Sequence, residues 1–353
     1  MNPAPAVDIR MGTLYRTLIK NPPMDLIVNI ATAGRPDLLK WTLHSLGKCL
    51  LPAGYKETIV VENGTRAGAE DVVRSGPPSL NLRYLHEPQS NKSAALNRAL
   101  AAFRDCLIFF TDDDVRLDPR VLQAYSDAAE KVGPGKFFGG PADVDYESPP
   151  PTWLRQYLPK SATGWQWKWD PNCVNVPEFL GFNWAAFASD LRAVGGFNTD
   201  RGPGSPSGST GQESDMQHRL LNRGLHGVYV PHARVWHFVP GERCSLKWAI
   251  DRNFRHGVEE GTLAAAEPQG PCGLPPWRIT NHYLKGIVRE LMWSFSTSPE
   301  LRFRARHRRS YDRGLMHGIR CQREATTVNY PAPRRSKAWL PIPHWPVPLG
   351  ERR

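Results

Sequence analysis

The sequence predicts an α/β protein with a mostly parallel central sheet flanked by helices. In the first half of the chain, short apolar segments of strand length alternate with segments whose apolar residues recur every three or four positions. Residues 106–110 provide a second observation, because they are uncharged and rich in Ile, Leu and Phe. Such a run is typical of a strand that is covered on both faces, as the strands of parallel sheets are.

The predicted strands and helices follow one another in a regular order. Pro36 suits the first turn of a helix, and Leu39 lies on the apolar face of that helix. Ser93 is expected to cap the next helix, which carries Leu96. The predicted strands are Leu26–Ile30, Thr58–Val61, Leu82–Leu85 and Leu107–Phe110.

The second half of the chain has a different character. Its first part is rich in tryptophan, and these rings could be core residues or a stacking surface for a sugar or a base. The glycine- and serine-rich segment Gly202–Gly211 leads directly into acidic residues, an arrangement typical of an active-site lid. From Ser245 onward the pattern is mainly helical. The tryptophans concerned are Trp153, Trp165, Trp167 and Trp169.

We expect four segments along the chain. The main α/β domain is predicted to span residues 24–257, after an N-terminal extension of residues 1–23. A basic helical extension follows over residues 258–330, and residues 331–353 form a proline-rich tail. The chain of 353 residues, with 40% apolar and 22% charged residues, is long enough for one large or two modest domains with a sizeable core.

Composition also excludes several classes of protein. The mean hydropathy is −0.47 and no window approaches 18 apolar residues, which argues against a membrane-spanning helix. We find no secretory signal at the N-terminus. The six cysteines are widely separated and form no CxxC pair, so they predict neither a zinc ribbon nor a disulfide framework. The cytoplasm is therefore the expected location.

The net charge of +11 is concentrated near the C-terminus. An arginine-rich segment there could contact nucleic acid, anionic lipid headgroups or a diphosphate-bearing substrate, or it could be a solvated helix face. Charge alone does not decide between these partners. The arginines are Arg302, Arg304, Arg306, Arg308, Arg309 and Arg313.

Three consecutive aspartates, Asp112, Asp113 and Asp114, follow the apolar run directly. Open α/β sheets bind their ligands at the carboxyl ends of their strands. Three neighbouring carboxylates repel one another unless a cation neutralises them, and oxygen ligands suit Mg²⁺ or Mn²⁺ bridged to a substrate diphosphate. The alternative is a solvated acidic turn before a helix.

Further motifs follow in an order that strongly resembles the family 2 glycosyltransferases of the GT-A fold. The resemblance runs from about Met24 to about Gly257, and it depends on the joint order of motifs that are individually weak. The motifs are Thr32–Pro36, Val60–Gly64, Asn91–Asn97, Phe110–Asp114, Phe179–Asn183, Val194–Phe197, Gly211–Asp215 and Val235–His237.

The resemblance implies roles for individual residues. Asp114 and His237 would hold the metal, and Glu213 and Asp215 would be the catalytic residues, with Glu213 as the base. Two positions depart from the family pattern, because Glu62 replaces an aspartate and Gln212 replaces an acid. The donor-binding set implied by the resemblance is Thr32, Arg35, Glu62, Lys92, Asn97, Asp112 and Asp113.

The implied activity is inverting, metal-dependent transfer of a sugar from a nucleotide-diphosphate donor to a saccharide or lipid-linked acceptor. A uridine or guanosine donor and a role in polysaccharide biosynthesis are expected, with possible peripheral contact at the inner, anionic face of the membrane. Structural interpretations remain open: Glu213 and Asp215 could be an acidic first helical turn, His237 a hydrogen-bonded core group and Lys92 a surface lysine.

Rival functions can be weighed from the same residues. A nucleotidyltransferase would carry a glycine-rich basic loop after the first strand, but residues 31–35 contain one glycine and one basic residue. A phosphatase of the haloacid dehalogenase type would not have Arg116 after its aspartates. A basic, tryptophan-rich module that binds polysaccharide or nucleic acid remains an alternative, although it does not account for the ordered acids.

Overall fold

The computed structural model describes residues 23–103, 105–167, 178–206, 210–266 and 276–327. Most of the predicted N-terminal extension, Trp169 and the predicted tail lie outside the described residues. Among the described helices, none is both long and apolar enough to cross a membrane.

Ten strands in the described part of the chain form two sheets. The larger sheet has the order β3-β2-β1-β4-β8-β6-β9, and the smaller one has the order β5-β10-β7. The strands are β1 (Leu26–Thr32), β2 (Tyr55–Asn63), β3 (Leu82–Glu87), β4 (Leu107–Asp112), β5 (Val115–Leu117), β6 (Lys136–Gly139), β7 (Ala142–Tyr146), β8 (Trp184–Phe187), β9 (His226–Tyr229) and β10 (Val235–Val239).

Helices connect these strands and extend the chain beyond them. They are α1 (Pro36–Leu46), α2 (Ala69–Arg74), α3 (Lys92–Ala101), α4 (Val121–Val132), α5 (Lys160–Thr163), α6 (Ala188–Ala193), α7 (Gln212–Asn222), α8 (Leu246–Ala266), α9 (Pro276–Ser294) and α10 (Pro299–Thr327).

The larger sheet is mostly parallel. Strands β1, β2, β3 and β4 pair in parallel, and β8 is antiparallel to both β4 and β6. Helices cover both faces of the sheet. Alternate residues of β1 point to opposite faces and therefore contact different helices. Val28 and Ile30 pack in the cluster that contains Leu39 of α1, whereas Ile27 packs in the cluster that contains Leu96 of α3. The predicted fold class is therefore confirmed.

The start of α3 differs from the prediction. Asn91, not Ser93, is the N-cap residue, and its side chain accepts a hydrogen bond of 3.0 Å from the amide of Ala94. The Ser93 hydroxyl instead donates to the carbonyl of Arg201 at 2.9 Å. Serine and asparagine cap equally well in isolation, so the loop that contains Arg201 decides which of them does so here.

The tryptophans of the second half are partly core residues. Trp165 is buried, and its ring contacts those of Phe179 and Tyr229 at centroid distances of 5.9 and 6.0 Å. Trp153 packs edge-on against Phe303 of α10 at 5.5 Å. The core interpretation therefore holds for Trp165, which is not available as a stacking surface.

The C-terminal helices pack closely on one another, with α8 and α10 parallel and α9 antiparallel to α10. Glycines permit the contact between α8 and α10: a Cβ atom at Gly257 would overlap the carbonyl of Tyr311, and one at Gly314 would overlap that of Phe254. The predicted domain boundary at residue 257 falls inside the continuous helix α8.

Candidate active site

The carboxyl ends of β1 and β4 bring two motifs together. These strands are parallel neighbours, and Ala31 pairs with Asp112. The next residues, Thr32 and Asp113, therefore lie side by side, and the Thr32 hydroxyl donates to Asp113 Oδ2 at 2.6 Å. The register of one strand pair thus unites residues that are 81 positions apart.

The three aspartates have different partners. Asp112 Oδ1 accepts from the Lys92 ammonium at 2.6 Å. Arg35 bridges the other two, because its Nε and Nη2 donate to Asp113 and its Nη1 donates to Asp114 Oδ2 at 2.6 Å. Burial raises the pKa of Asp113 to about 6, although Arg35 opposes this shift. The acidic turn is mostly buried and paired rather than solvated.

The smaller sheet positions His237. Strand β10 pairs with β5 so that His237 lies opposite Val115, and the amide of Phe238 donates to the Asp114 carbonyl at 2.8 Å. His237 Nε2 consequently lies 3.3 Å from Asp114 Oδ1. The ring stacks on Phe182, with centroids 4.5 Å apart.

The pair of Asp114 and His237 fits a divalent metal. His237 Nδ1 lies 2.7 Å from the Ser161 carbonyl oxygen, which can only accept, so Nδ1 carries a proton and Nε2 faces Asp114, where it can hold either a second proton or a cation. Two acceptors at this distance repel unless a proton or a cation lies between them. Asp114 Oδ1 is buried and has no hydrogen-bond partner among the described residues, which leaves it available to a cation.

The protein alone does not complete a metal site. The described residues contain no group of three or more His, Cys, Asp or Glu side chains that could hold a metal ion. Magnesium-type ions are often bound through one or two carboxylates, with water and substrate phosphates as further ligands. Asp114 and His237 therefore suit a metal that a phosphate-bearing substrate helps to bind.

Glu213 lies in the first turn of α7, close to the aspartates. Lys92 Nζ is 3.5 Å from Glu213 Oε1, and the Gln212 side chain donates to the same oxygen at 2.7 Å. A Cβ atom at residue 181 would overlap this carboxylate, so Gly181 makes room for it. Burial raises the pKa of Glu213, although Lys92 opposes this shift.

Lys92 is not a surface lysine, because only 15% of its side chain is exposed. Burial alone would lower its pKa, but Asp112 and then Glu213 raise the pKa above its ordinary value. Lys92 therefore stays charged, and it links the end of β4 to the first turn of α7.

Asp215 occupies a different environment from Glu213. One of its oxygens accepts from Arg219 Nε at 2.9 Å, and the other lies 3.4 Å from Arg201 Nε. These arginines connect α7 to the preceding loop, so the observed contacts of Asp215 are structural.

Two predicted donor-binding residues are engaged with the protein itself. Glu62 is buried; its Oε1 accepts from the amide of Ala67 at 2.7 Å and its Oε2 accepts from the Tyr84 hydroxyl at 2.6 Å. Asn97 makes two hydrogen bonds to the backbone of Phe197, of 2.7 and 2.8 Å. Both side chains fix loops beside the site.

The segment before α7 is held at both ends. The amide of Lys92 donates to the Pro203 carbonyl at 3.0 Å. At the other end, the Thr210 hydroxyl donates to Glu259 of α8 at 2.6 Å. Residues 207–209 between these anchors lie outside the described residues, so the predicted lid stays a prediction.

Sequence reasoning missed Arg243, which lies in the short helical turn after β10. Its Nη1 is 3.7 Å from Asp114 Oδ2. Burial would raise the pKa of Asp114, but His237, Arg35 and Arg243 together hold it well below the usual range. No motif marks Arg243, because its position depends on the pairing of β10 with β5.

Comparisons with known proteins concern the family that the chain resembles. The chain matches the family model "Glycosyl transferase family 2" over residues 27–189. It is 26% identical over 258 residues to the succinoglycan biosynthesis protein ExoM of Rhizobium meliloti (strain 1021). The aligned region covers 71% of this chain and 78% of that protein.

A solved structure is also similar, namely the mannosyltransferase PcManGT from Pyrobaculum calidifontis in complex with GDP-Man and Mn²⁺. The sequence identity is 17% and the TM-score is 0.47, over 91% of this chain and 83% of that chain.

These matches agree with the resemblance to the family 2 glycosyltransferases that the order of motifs predicts. They support glycosyl transfer as the class of reaction.

Proposed function

We propose that the chain is an inverting, metal-dependent glycosyltransferase that uses a nucleotide-diphosphate sugar and has Glu213 as its catalytic base. The observation that carries this proposal is the position of Lys92, 2.6 Å from Asp112 and 3.5 Å from Glu213. Lys92 and Glu213 are 121 positions apart in the sequence, yet the ammonium group brings the base to the sheet edge that carries the aspartates.

The proposed sugar transfer requires a general base at the end of the sheet where the aspartates lie. An acceptor hydroxyl must lose its proton as it attacks the anomeric carbon, and a positioned carboxylate can take that proton. Burial raises the pKa of Glu213, which makes it a better proton acceptor than an exposed glutamate. We assign Asp215 a positioning role, because Arg219 and Arg201 occupy its oxygens.

Asp114 and His237 would hold Mg²⁺ or Mn²⁺. The bound metal would act as a Lewis acid that neutralises the charge of the leaving diphosphate. Arg35, which is about one-third exposed, contributes positive charge beside the same carboxylates and could donate to donor phosphates.

The other predicted donor residues divide into two groups. Thr32, Asp112, Asp113 and Lys92 lie at the sheet edge, where a donor would bind. Glu62 and Asn97 would shape the wall of the donor site through the loops they hold, rather than contact the donor directly.

The acceptor is proposed to be a saccharide, free or lipid-linked, in polysaccharide biosynthesis. Support comes from the relative ExoM, which is a succinoglycan biosynthesis protein. The rival binding module is less favoured, because Trp165 belongs to the core and so cannot serve as a stacking platform.

The test is a screen of uridine and guanosine diphosphate sugars with Mn²⁺, with Mg²⁺ and with a chelator, read by release of the nucleotide diphosphate. We expect metal-dependent release from one donor, and a β-anomer from an α-linked donor by NMR. Retention of configuration would exclude the single-base mechanism, and no turnover with any donor and a range of saccharide acceptors would favour a binding protein.

A further inference from the structure

Helix α9 exposes a continuous apolar face to solvent. Five of the ten exposed large apolar side chains in the described residues lie within the twelve positions 284–295. Their spacing of four, three, one and three positions puts them on one side of a helix. They are Leu284, Val288, Leu291 and Met292 of α9 and Phe295 directly after it, with exposures of 53–87%.

This face is not the one that α9 uses to pack on the protein. Tyr283, Glu290 and Trp293 contact arginines of α10: Arg309 lies 3.8 Å over the Tyr283 ring and 3.6 Å from Glu290. By helical periodicity these contact residues lie on the side opposite the apolar face. The apolar side chains therefore project away from α10, and no described residue covers them.

The surroundings of the apolar face are strongly basic. Residues 276–327 contain eleven Lys or Arg and four Asp or Glu, so this hairpin carries most of the chain's net charge of +11. Within the described residues, Arg304, Arg306 and Arg313 form no ion pair with a carboxylate. They are exposed on α10, one helix away from the apolar face.

The arginines alone do not form a single binding stripe. Arg306 and Arg313 lie on one exposed side of α10, whereas Arg304 and Arg308 lie on another, because successive even positions alternate across a helix. Arg309 pairs with Glu290 of α9. The predicted basic segment is thus divided, and the apolar face of α9 is the element that these charges flank.

We propose that the apolar face of α9 inserts into an anionic membrane surface, with the flanking arginines drawn to lipid headgroups. An apolar face beside many Lys and Arg residues is the pattern of interfacial helices. A helix is about 10–12 Å wide, which is close to the Debye length of about 10 Å, so charges on α10 still act at a surface that holds α9. An anionic lipid surface accounts for both the exposed apolar face and the positive charge beside it.

The test is co-sedimentation of the full chain with vesicles of phosphatidylcholine, with and without phosphatidylglycerol, at low and high salt. We expect binding to the anionic vesicles. The double variant Leu291→Glu/Met292→Glu should weaken it about tenfold or more. Neutralisation of Arg304, Arg306 and Arg313 by glutamine should weaken it roughly fivefold per residue at low salt, and less at high salt.

A matched control variant introduces two glutamates at another part of the surface. Leu50→Glu/Val132→Glu changes two exposed apolar residues outside the hairpin and should bind like the wild type. Glu213→Gln should also bind like the wild type, so that failure of lipid binding and failure of the catalytic proposal are distinguishable. Circular dichroism establishes that each variant is folded.

A second measurement does not depend on a destabilising change. In Phe295→Trp, the added indole should be quenched by brominated lipid in anionic vesicles. The proposal is wrong if the wild type does not bind these vesicles, or if the Leu291→Glu/Met292→Glu variant binds them equally well. It is also wrong if the wild type is instead a dimer that this variant dissociates, since the face would then be a protein interface.

Discussion

At the scale of single residues, Lys92 links the two halves of the candidate site. It lies at the start of α3 and contacts carboxylates from β4 and from α7. Because Asp112 and Glu213 both raise its pKa, the ammonium stays charged and holds Glu213 near the sheet edge. The site therefore depends on one cation as much as on its acids.

Glu213→Gln tests the base directly. The amide keeps the shape of the side chain but cannot accept the proton, so we expect donor binding to persist while transfer falls by about 10²–10⁴-fold. Donor affinity is measured by calorimetry and transfer by release of the nucleotide diphosphate.

Asp215→Asn is the matched control in the same helical turn. Loss of the negative charge at position 215 should weaken the ion pairs with Arg219 and Arg201. We therefore expect the melting temperature to fall more than the rate of transfer. If transfer is lost in Asp215→Asn and kept in Glu213→Gln, the two roles are exchanged.

Asp114→Asn tests the metal ligands. Loss of the anionic ligand should raise the Mn²⁺ concentration needed for half-maximal activity by roughly 100-fold or more, and His237→Gln should act in the same direction. Asp145→Asn is the control, because the Asp145 carboxylate accepts two hydrogen bonds from Arg116 within the smaller sheet. An unchanged Mn²⁺ requirement in Asp114→Asn would contradict the assignment.

At the scale of elements, the contact between α8 and α10 relies on glycine. Gly314→Ala would add a Cβ atom that overlaps the Phe254 carbonyl, so the helices must separate. Although alanine favours helix, we expect a loss of about 1–3 kcal/mol in the free energy of unfolding, as for other overpacked contacts. Chemical denaturation measures this loss.

Gly286→Ala is the control for that change. Its added Cβ atom would approach the side chain of Asp312 rather than a backbone atom, and a side chain can shift. Equal effects of the two substitutions would argue that the close backbone approach at Gly314 is unimportant.

The same helix pair should respond to pH through His256. Hydrogen bonds to Glu259 and Glu260 raise the pKa of His256 to about 9. A raised histidine pKa stabilises the fold fully below the ordinary value of about 6.5, and this stabilisation is lost as the pH rises through about 9.

His256→Gln removes the titrating group and should flatten this part of the profile. We expect the melting temperature of the wild type to fall more steeply than that of the variant between about pH 6.5 and about pH 9. Parallel profiles would show that His256 does not contribute.

At the scale of the whole molecule, the sequence predicted the architecture well. Alternation of strand and helix patterns depends on local periodicity, so the parallel sheet and the helices on both faces could be predicted before any contact was known. The order of motifs around Asp112–Asp114 predicted the family for the same reason, since motif order is a property of the chain itself.

Partners of individual side chains were decided by the tertiary structure. Sequence reasoning chose Ser93 as the cap of α3, but the loop at Arg201 takes that hydroxyl and leaves the cap to Asn91. Arg243 reaches Asp114 only because β10 pairs with β5. Local propensity does not contain such information, because each contact joins residues that are distant in sequence.

The basic C-terminal segment illustrates the same division. Its composition was evident from the sequence, and so was its helical character. Packing of α10 against α8 and α9 decided which arginines are exposed and left the apolar face of α9 uncovered. Charge and periodicity are local properties of the chain, whereas the exposure of a helix face depends on which neighbours cover it.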